Sequence, residues 1–410
     1  MIIFKPFKST YLFLFLLLNF ELISCAQKQQ ETIKYKITKS TIIKTGAERT
    51  SLYLGLLKGK NVAVVANQTS ILEKRNIKKE KSEFVHLVDS LLSLGIKVKK
   101  VFAPEHGFRG KADAGEVVKD GFDTKTGLSI ISLYGKNKKP SAKQLKDIDV
   151  VVFDIQDVGA RFYTYISSLH YVMEACAEVG ISVIILDRPN PNGHYIDGPV
   201  LELEHKSFVG MHKVPVVYGM TIGEYGQMIN GEKWLKNGVQ CDLKVIPLEN
   251  YNHNTAYHLP VKPSPNLPND KSINLYPSLC FFEGTTVSAG RGTEMQFQIY
   301  GSPFLSKSDF TFTPQPNKGA KYPKHENKLC FGENLQEAEN LNKIDLSYLI
   351  KAYNLNSSKE FFNNFFTKLA GTKKLQQQIE NHLSEKEIRK TWKKDLNEFK
   401  ITRNFYLLYK

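Results

Sequence analysis

Val150-Val151-Val152-Phe153-Asp154-Ile155-Gln156-Asp157-Val158-Gly159-Ala160-Arg161-Phe162-Tyr163-Thr164-Tyr165 is the stretch from which the fold of this 410-residue chain is read. The run Asp149 to Ile155 is continuously apolar and β-branched between acids, as in a strand buried on both faces of a parallel sheet. A polar loop follows. From Tyr165 to Val179 apolar residues then recur at helical spacing, and Gly180 stands where a left-handed helix terminus is expected. The unit is strand, loop, helix.

Runs of the same kind stand at Asn61 to Ala66, Val98 to Ala103, Ser129 to Tyr134 and Ile181 to Leu186. Phe84, Leu87, Val88, Leu91 and Leu92 predict a helix over Glu83 to Leu94, ending at Gly95. Strands alternating with helices make residues 46–250 a doubly wound α/β domain with a parallel sheet. After Leu248 the pattern changes to prolines and loops. Strand-like alternation returns around Phe281 to Tyr300, and Lys343 to Leu408 reads as helical and amphipathic. Residues 251–410 are therefore expected to form a second, smaller α+β domain closing a cleft against the first.

The first 25 residues read as a processing segment: Lys5 and Lys8, an apolar run from Tyr11 to Phe20, then Leu22-Ile23-Ser24-Cys25. The ending resembles a bacterial lipobox, which makes Cys25 the expected lipid anchor and residues 26–45 a polar tether. The chain is then exported and membrane-anchored, on the periplasmic or cell-surface side. A plain secretory signal is the alternative. Cys176, Cys241, Cys280 and Cys330 have no metal-site spacing and are expected to be buried free thiols. The formal charge of +15 comes with lysines scattered among Asn, Gln and Glu in the last hundred residues. That is a solvated basic surface facing cell-wall or lipid polyanions, with nucleic acid not expected.

In an open parallel sheet, ligands bind beyond the carboxyl ends of the strands. The residues following the runs are Asn67-Gln68-Thr69-Ser70, Pro104-Glu105-His106-Gly107-Phe108-Arg109-Gly110, Gln156 to Tyr165 with Asp154 before them, and Asp187-Arg188-Pro189-Asn190. The opposite strand ends carry plain surface residues such as Lys60 and Lys97. No G-x-S-x-G elbow, H-E-x-x-H pair, Walker loop or G-x-G-x-x-G turn occurs, so nucleotide binding is discounted, no metal-site spacing is seen, and the available chemistry is limited. What remains are carboxylates, amides, arginines and aromatics, which is the equipment of a glycosidase. Glu105 is the candidate acid, since the apolar Phe102-Ala103-Pro104 favours its protonated form. Each residue also has a structural reading: His106 as a turn residue, Asp154 as a core carboxylate, Asp187 as a turn stabiliser, and each arginine as a salt-bridge partner.

These loops, together with Glu283-Gly284-Thr285 and Gly290-Arg291-Gly292-Thr293, resemble the NamZ-type exo-β-N-acetylmuramidases from about Gly55 to the C-terminus. The resemblance implies a Rossmann-like first domain and cofactor-free release of N-acetylmuramic acid from the non-reducing end of peptidoglycan-derived chains, in cell-wall turnover and recycling. It implies Glu105 as catalytic acid; His106 beside it is read from the residues as a candidate proton carrier. The second group stays open among Asp154, Asp157, Glu283, Glu294 and the substrate's own acetamido group. Muramic acid carries a lactyl carboxylate, which a guanidinium can grip through two parallel hydrogen bonds. Arg161 and Arg291 are candidates for that grip, with Arg109 behind them. Asn67, Gln156, Tyr163, Tyr165 and Asn190 complete the expected substrate-binding set. The competing reading is a non-catalytic lipoprotein that holds wall glycans in the same cleft.

Overall fold

The computed structural model describes residues 42–75, 82–109 and 120–409, and one compact unit begins at Ile43. The leader and Cys25 lie outside the described residues. The tether ends earlier than residue 45, because Lys44 exchanges backbone hydrogen bonds with Glu249 and the Thr45 hydroxyl contacts Glu48.

The strands, in chain order, are β1 Asn61–Ala66, β2 Ile71–Arg75, β3 Ser82–His86, β4 Lys97–Ala103, β5 Gly121–Phe122, β6 Ser129–Ser132, β7 Val150–Asp154, β8 Ser182–Leu186, β9 Leu243–Ile246, β10 Ile299–Ser302, β11 Phe310–Phe312 and β12 Cys330–Asn334. Seven of them form one sheet in the order β5-β6-β4-β1-β7-β8-β9, parallel except for β5 at the edge. The six parallel strands follow the Rossmann order, with the reversal at β1. Alternate residues feed two cores. Ala63, Val65, Val151, Phe153, Val183 and Ile185 face one side, and Val62, Val64, Val150, Val152, Ile184 and Leu186 face the other. Burial on both faces is what made these strands read as unbroken apolar runs.

The first of those cores continues into the later part of the chain, through Leu275, Phe281, Phe366 and Trp392. That part holds the antiparallel sheet β10-β12-β11 and the helices Asp270–Leu279, Ser347–Asn354, Phe366–Ala370, Lys374–Glu380 and Glu385–Asn404. The helix Tyr165–Val179 stands as expected, and Gly95 and Gly180 both take positive φ.

Two expectations are corrected. The helix predicted over Glu83 to Leu94 is helical only over Leu87–Ser93, because Ser82–His86 pairs with β2 in a hairpin and Phe84 is turned to the surface. His86 ends the strand and caps the helix, its Nδ1 accepting from Val88 N at 3.2 Å. The alternation from Phe281 to Tyr300 is not a strand run: Cys280–Gly284 is a 3-10 turn, and only Ile299–Ser302 is strand.

Candidate active site

β4 stops at Ala103 and the chain turns back at once. His106 and Gly107 both sit in the left-handed region, at φ 71° and 75°, and Gly107 N donates to Pro104 O at 3.0 Å. A left-handed non-glycine residue costs about 1–3 kcal/mol, which the surrounding packing of this turn sustains. The turn holds Glu105 half-buried at its apex. Tyr134, just past β6, donates to Glu105 Oε1 at 3.1 Å, and Thr164 Oγ1 donates to Oε2 at 3.1 Å. Thr164 is the N-cap residue of the helix Tyr165–Val179, yet its hydroxyl makes no capping bond. A favourable helix cap has been given up for a contact to the carboxylate.

Glu105 opens into a cleft of about 270 Å³. His106, Tyr134, Phe162, Tyr163 and Thr164 line it from the first part of the chain, and Ser264, Asn266, Tyr276, Glu283, Arg291 and Phe297 from the later part. The aromatic residues brace one another edge to face: Phe162 with Tyr276 at 5.3 Å, Tyr163 with Tyr165 at 4.9 Å, and Tyr276 with Phe297 at 4.9 Å between centroids. Tyr163 is tied to the later part of the chain by its hydroxyl, which donates to Pro263 O at 2.8 Å.

Glu283 and Arg291 form the polar pair from the later part of the chain. Arg291 Nη1 lies 3.4 Å from Glu283 Oε2, and Arg291 Nε is buried without a hydrogen-bond partner among the described residues. The flanking glycines are required by space as well as by φ: a Cβ at Gly290 would meet Met295 O at 2.8 Å, and one at Gly292 would meet Gln315 O at 2.8 Å. The Lys324 ammonium donates to the carbonyls of Phe282, Thr285 and Val287 at 2.8, 2.6 and 2.9 Å, fixing the turn that carries Glu283. Burial holds Lys324 below the usual lysine range.

The model of the family described as exo-beta-N-acetylmuramidase NamZ matches in two parts, the N-terminal model over residues 62–271 and the C-terminal model over 274–409. The chain belongs to the NamZ exo-β-N-acetylmuramidase family. It is 36% identical to the peptidoglycan beta-N-acetylmuramidase NamZ of Bacillus subtilis, over 98% of this chain and all of that one. Among solved structures it resembles two DUF1343 family proteins of Bacteroides fragilis. One is 46% identical with a TM-score of 0.81, the other 28% identical with a TM-score of 0.74. Each comparison covers 90% of this chain and 99% of the other.

In this NamZ-family chain the expected site residues divide. Glu105, His106, Tyr163, Glu283 and Arg291 line the cleft. Tyr165 stands behind Glu105, with its hydroxyl 3.5 Å from the Glu105 carbonyl oxygen and accepting from Asn67 Nδ2 at 2.8 Å. Asn67 therefore positions Tyr165 rather than meeting ligand. The others belong to the framework. Asp154 is fully buried and gripped by Arg188, Nε to Oδ1 at 2.6 Å and Nη2 to Oδ2 at 2.9 Å. Asp157 accepts from Tyr218 and from Gly159 N, and burial pushes it up to about 6. Glu294 is exposed outside the cleft.

Gln156 Nε2 donates to Asp157 O and Pro189 O, and Asn190 Nδ2 to Met220 O. Arg109 is held by Asp123 and Asp89 and stacks on Phe108 at 4.7 Å. Arg161 is fully buried and donates to four carbonyls, those of Pro199, Val214, Leu369 and Ala370. Neither Arg161 nor Arg109 lines the cleft. Tyr134, Thr164, Tyr276 and Lys324 were missed by the sequence reading; Tyr134 ends the Ser129 to Tyr134 run, whose polar end went unread.

The four described cysteines are free and buried. Among the described residues, Glu202, Glu204 and His205 have ligand-type atoms within 4.8 Å of one another, but outside this cleft and with Glu202 paired to Lys374 at 2.6 Å.

Proposed function

We propose that this NamZ-family chain hydrolyses the terminal β-N-acetylmuramide of peptidoglycan-derived sugar chains from the non-reducing end, with Glu105 as general acid. The observation that carries the reading is Glu105 itself: a half-buried carboxyl at the switch point of the sheet, oriented by Tyr134 and Thr164 and open to a cleft. As the bond from C1 to the leaving oxygen breaks, protonated Glu105 gives its proton to that oxygen, and positive charge develops at C1. Of the four carboxylates considered as the second group, Glu283 alone lines the cleft. It stabilises that charge directly or orients the substrate's acetamido group, and water completes the hydrolysis. Arg291, whose guanidinium lines the cleft beside Glu283, takes the lactyl carboxylate.

Release of chromophore from an aryl N-acetylmuramide, with little or none from the matching N-acetylglucosaminide, is the expected result. Equal rates on both would remove the lactyl argument. Export and lipidation at Cys25 complete the proposal, resting on the basic start, the short apolar run and the lipobox-like ending. Radiolabelled palmitate should enter the wild-type chain and not Cys25→Ser; equal labelling of both would refute the anchor.

A further inference from the structure

We infer that the C-terminal turn of this chain is a membrane-contacting surface that lies on an anionic bilayer beside the point where the N-terminal tether enters the fold. Ile43 packs on Leu248, Tyr251 and Tyr409, so the first residues of the compact unit sit against its last ones. Just before Tyr409, Ile401, Phe405 and Leu408 are exposed by 64%, 79% and 39%. Ile401 and Phe405 lie one helical turn apart at the end of the helix Glu385–Asn404. Counting back along the same face brings Lys394 and Lys390, with Lys393 and Lys400 beside them, all exposed. None of these four lysines forms a salt bridge among the described residues, while Asp395 and Glu398 are interleaved with them and Glu387 stands one turn before Lys390. Exposed aromatic and aliphatic groups at the end of a lysine face are the combination that seats a helix in a headgroup layer: the apolar groups enter the acyl boundary and the ammonium groups meet lipid phosphate.

The choice of a bilayer over another polyanion comes from where the chain leads. The inference rests on the proposed anchoring of Cys25. The segment from Cys25 to Ile43 spans at most roughly 65 Å even fully extended, so an acylated chain holds the fold within that distance of its membrane. A weak surface contact held at such short range acts at high effective concentration, so a few exposed side chains suffice.

The test uses the mature Cys25→Ser chain, which carries no acyl group, so that failure of the surface and failure of the anchor are read separately. The chain is sedimented with vesicles of phosphatidylcholine alone or with phosphatidylglycerol. Binding to the anionic vesicles that is reversed by high salt is expected. Phe405→Ser with Ile401→Ser, and separately Lys390→Glu with Lys394→Glu, should each weaken it roughly tenfold. All four positions lie outside the cleft, so turnover of a soluble aryl muramide should be unchanged, which also shows that the variants fold. Equal binding to neutral and anionic vesicles, or undiminished binding by the variants, would overturn the inference. So would binding that is lost with the lysines alone, unaffected at Phe405 and Ile401 and competed by heparin, which would mark a site for a soluble polyanion.

Discussion

The hydroxyl of Tyr134 stands 3.1 Å from Oε1 of Glu105, bringing the end of β6 onto the turn that follows β4. These strands are hydrogen-bonded neighbours, so the contact is set by the sheet and not by a mobile loop. The same carboxyl meets Thr164 through its other oxygen. Glu105→Gln keeps the shape and cannot deliver a proton, so kcat on an aryl N-acetylmuramide should fall by about 10²–10⁴. Tyr134→Phe removes one hydrogen bond to the group and should lower kcat by roughly tenfold to a hundredfold. A Glu105→Gln protein with most of its activity would show that another group is the acid.

Arg291 is the cation that lines the cleft among the described residues, with Nη1 3.4 Å from Glu283 Oε2. Arg291→Met should reduce kcat/KM on N-acetylmuramides by roughly ten- to a hundredfold, the range for a hydrogen bond to a charged group. Any slow reaction on the N-acetylglucosaminide should fall less, since that sugar has no carboxylate and loses only the effect of Arg291 on Glu283. The ratio of the two is the diagnostic measurement, and an unchanged ratio would move lactyl recognition elsewhere.

Arg161 gives the opposite expectation. Its four donated hydrogen bonds join the carbonyls of Pro199 and Val214 to those of Leu369 and Ala370, residues from distant parts of the chain. Burial lowers its pKa to about 9. Arg161→Met should cost on the order of 3 kcal/mol through carbonyls left without donors, seen as a lower thermal midpoint. The muramide-to-glucosaminide ratio of the folded fraction should be unchanged. A normal midpoint with a collapsed ratio would return Arg161 to the ligand.

These two arginines show how far the sequence could be read. β1, β7 and β8 were legible because strands buried on both faces leave continuous apolar runs, and the loop carrying Glu105 was legible because polar residues gather at one end of those strands. Arg161 and Arg291 both lie in polar, glycine-containing loops, and no local pattern tells a hole lined with carbonyls from an open cleft. The difference is made by residues 208 positions away in the case of Leu369. β3 was misread because Phe84, Leu87 and Val88 satisfy helical spacing while a hairpin with β2 claims the first of them. Lys44 was placed in a tether because its partner, Glu249, lies at the far edge of the sequence domain.

At Asp187 two physical effects oppose each other. Its carboxyl is fully buried and accepts from Arg188 N at 3.0 Å, Gly223 N at 2.8 Å, Thr221 Oγ1 at 2.7 Å and Tyr409 Oη at 2.6 Å. Burial, reinforced by the nearby Glu224, raises its pKa to about 7 against the lowering by those donors. A carboxyl with a raised pKa binds its proton more tightly when folded than when unfolded. Its contribution to stability is therefore complete below about pH 4 and is lost as pH rises towards 7. In that window the folding equilibrium should weaken by up to about tenfold per pH unit relative to Asp187→Asn, which has no proton to lose. Urea unfolding of both proteins at several pH values between 4 and 8 measures the difference. A wild-type protein that instead gains on the variant as pH rises would show that the four donors outweigh burial and keep Asp187 ionised.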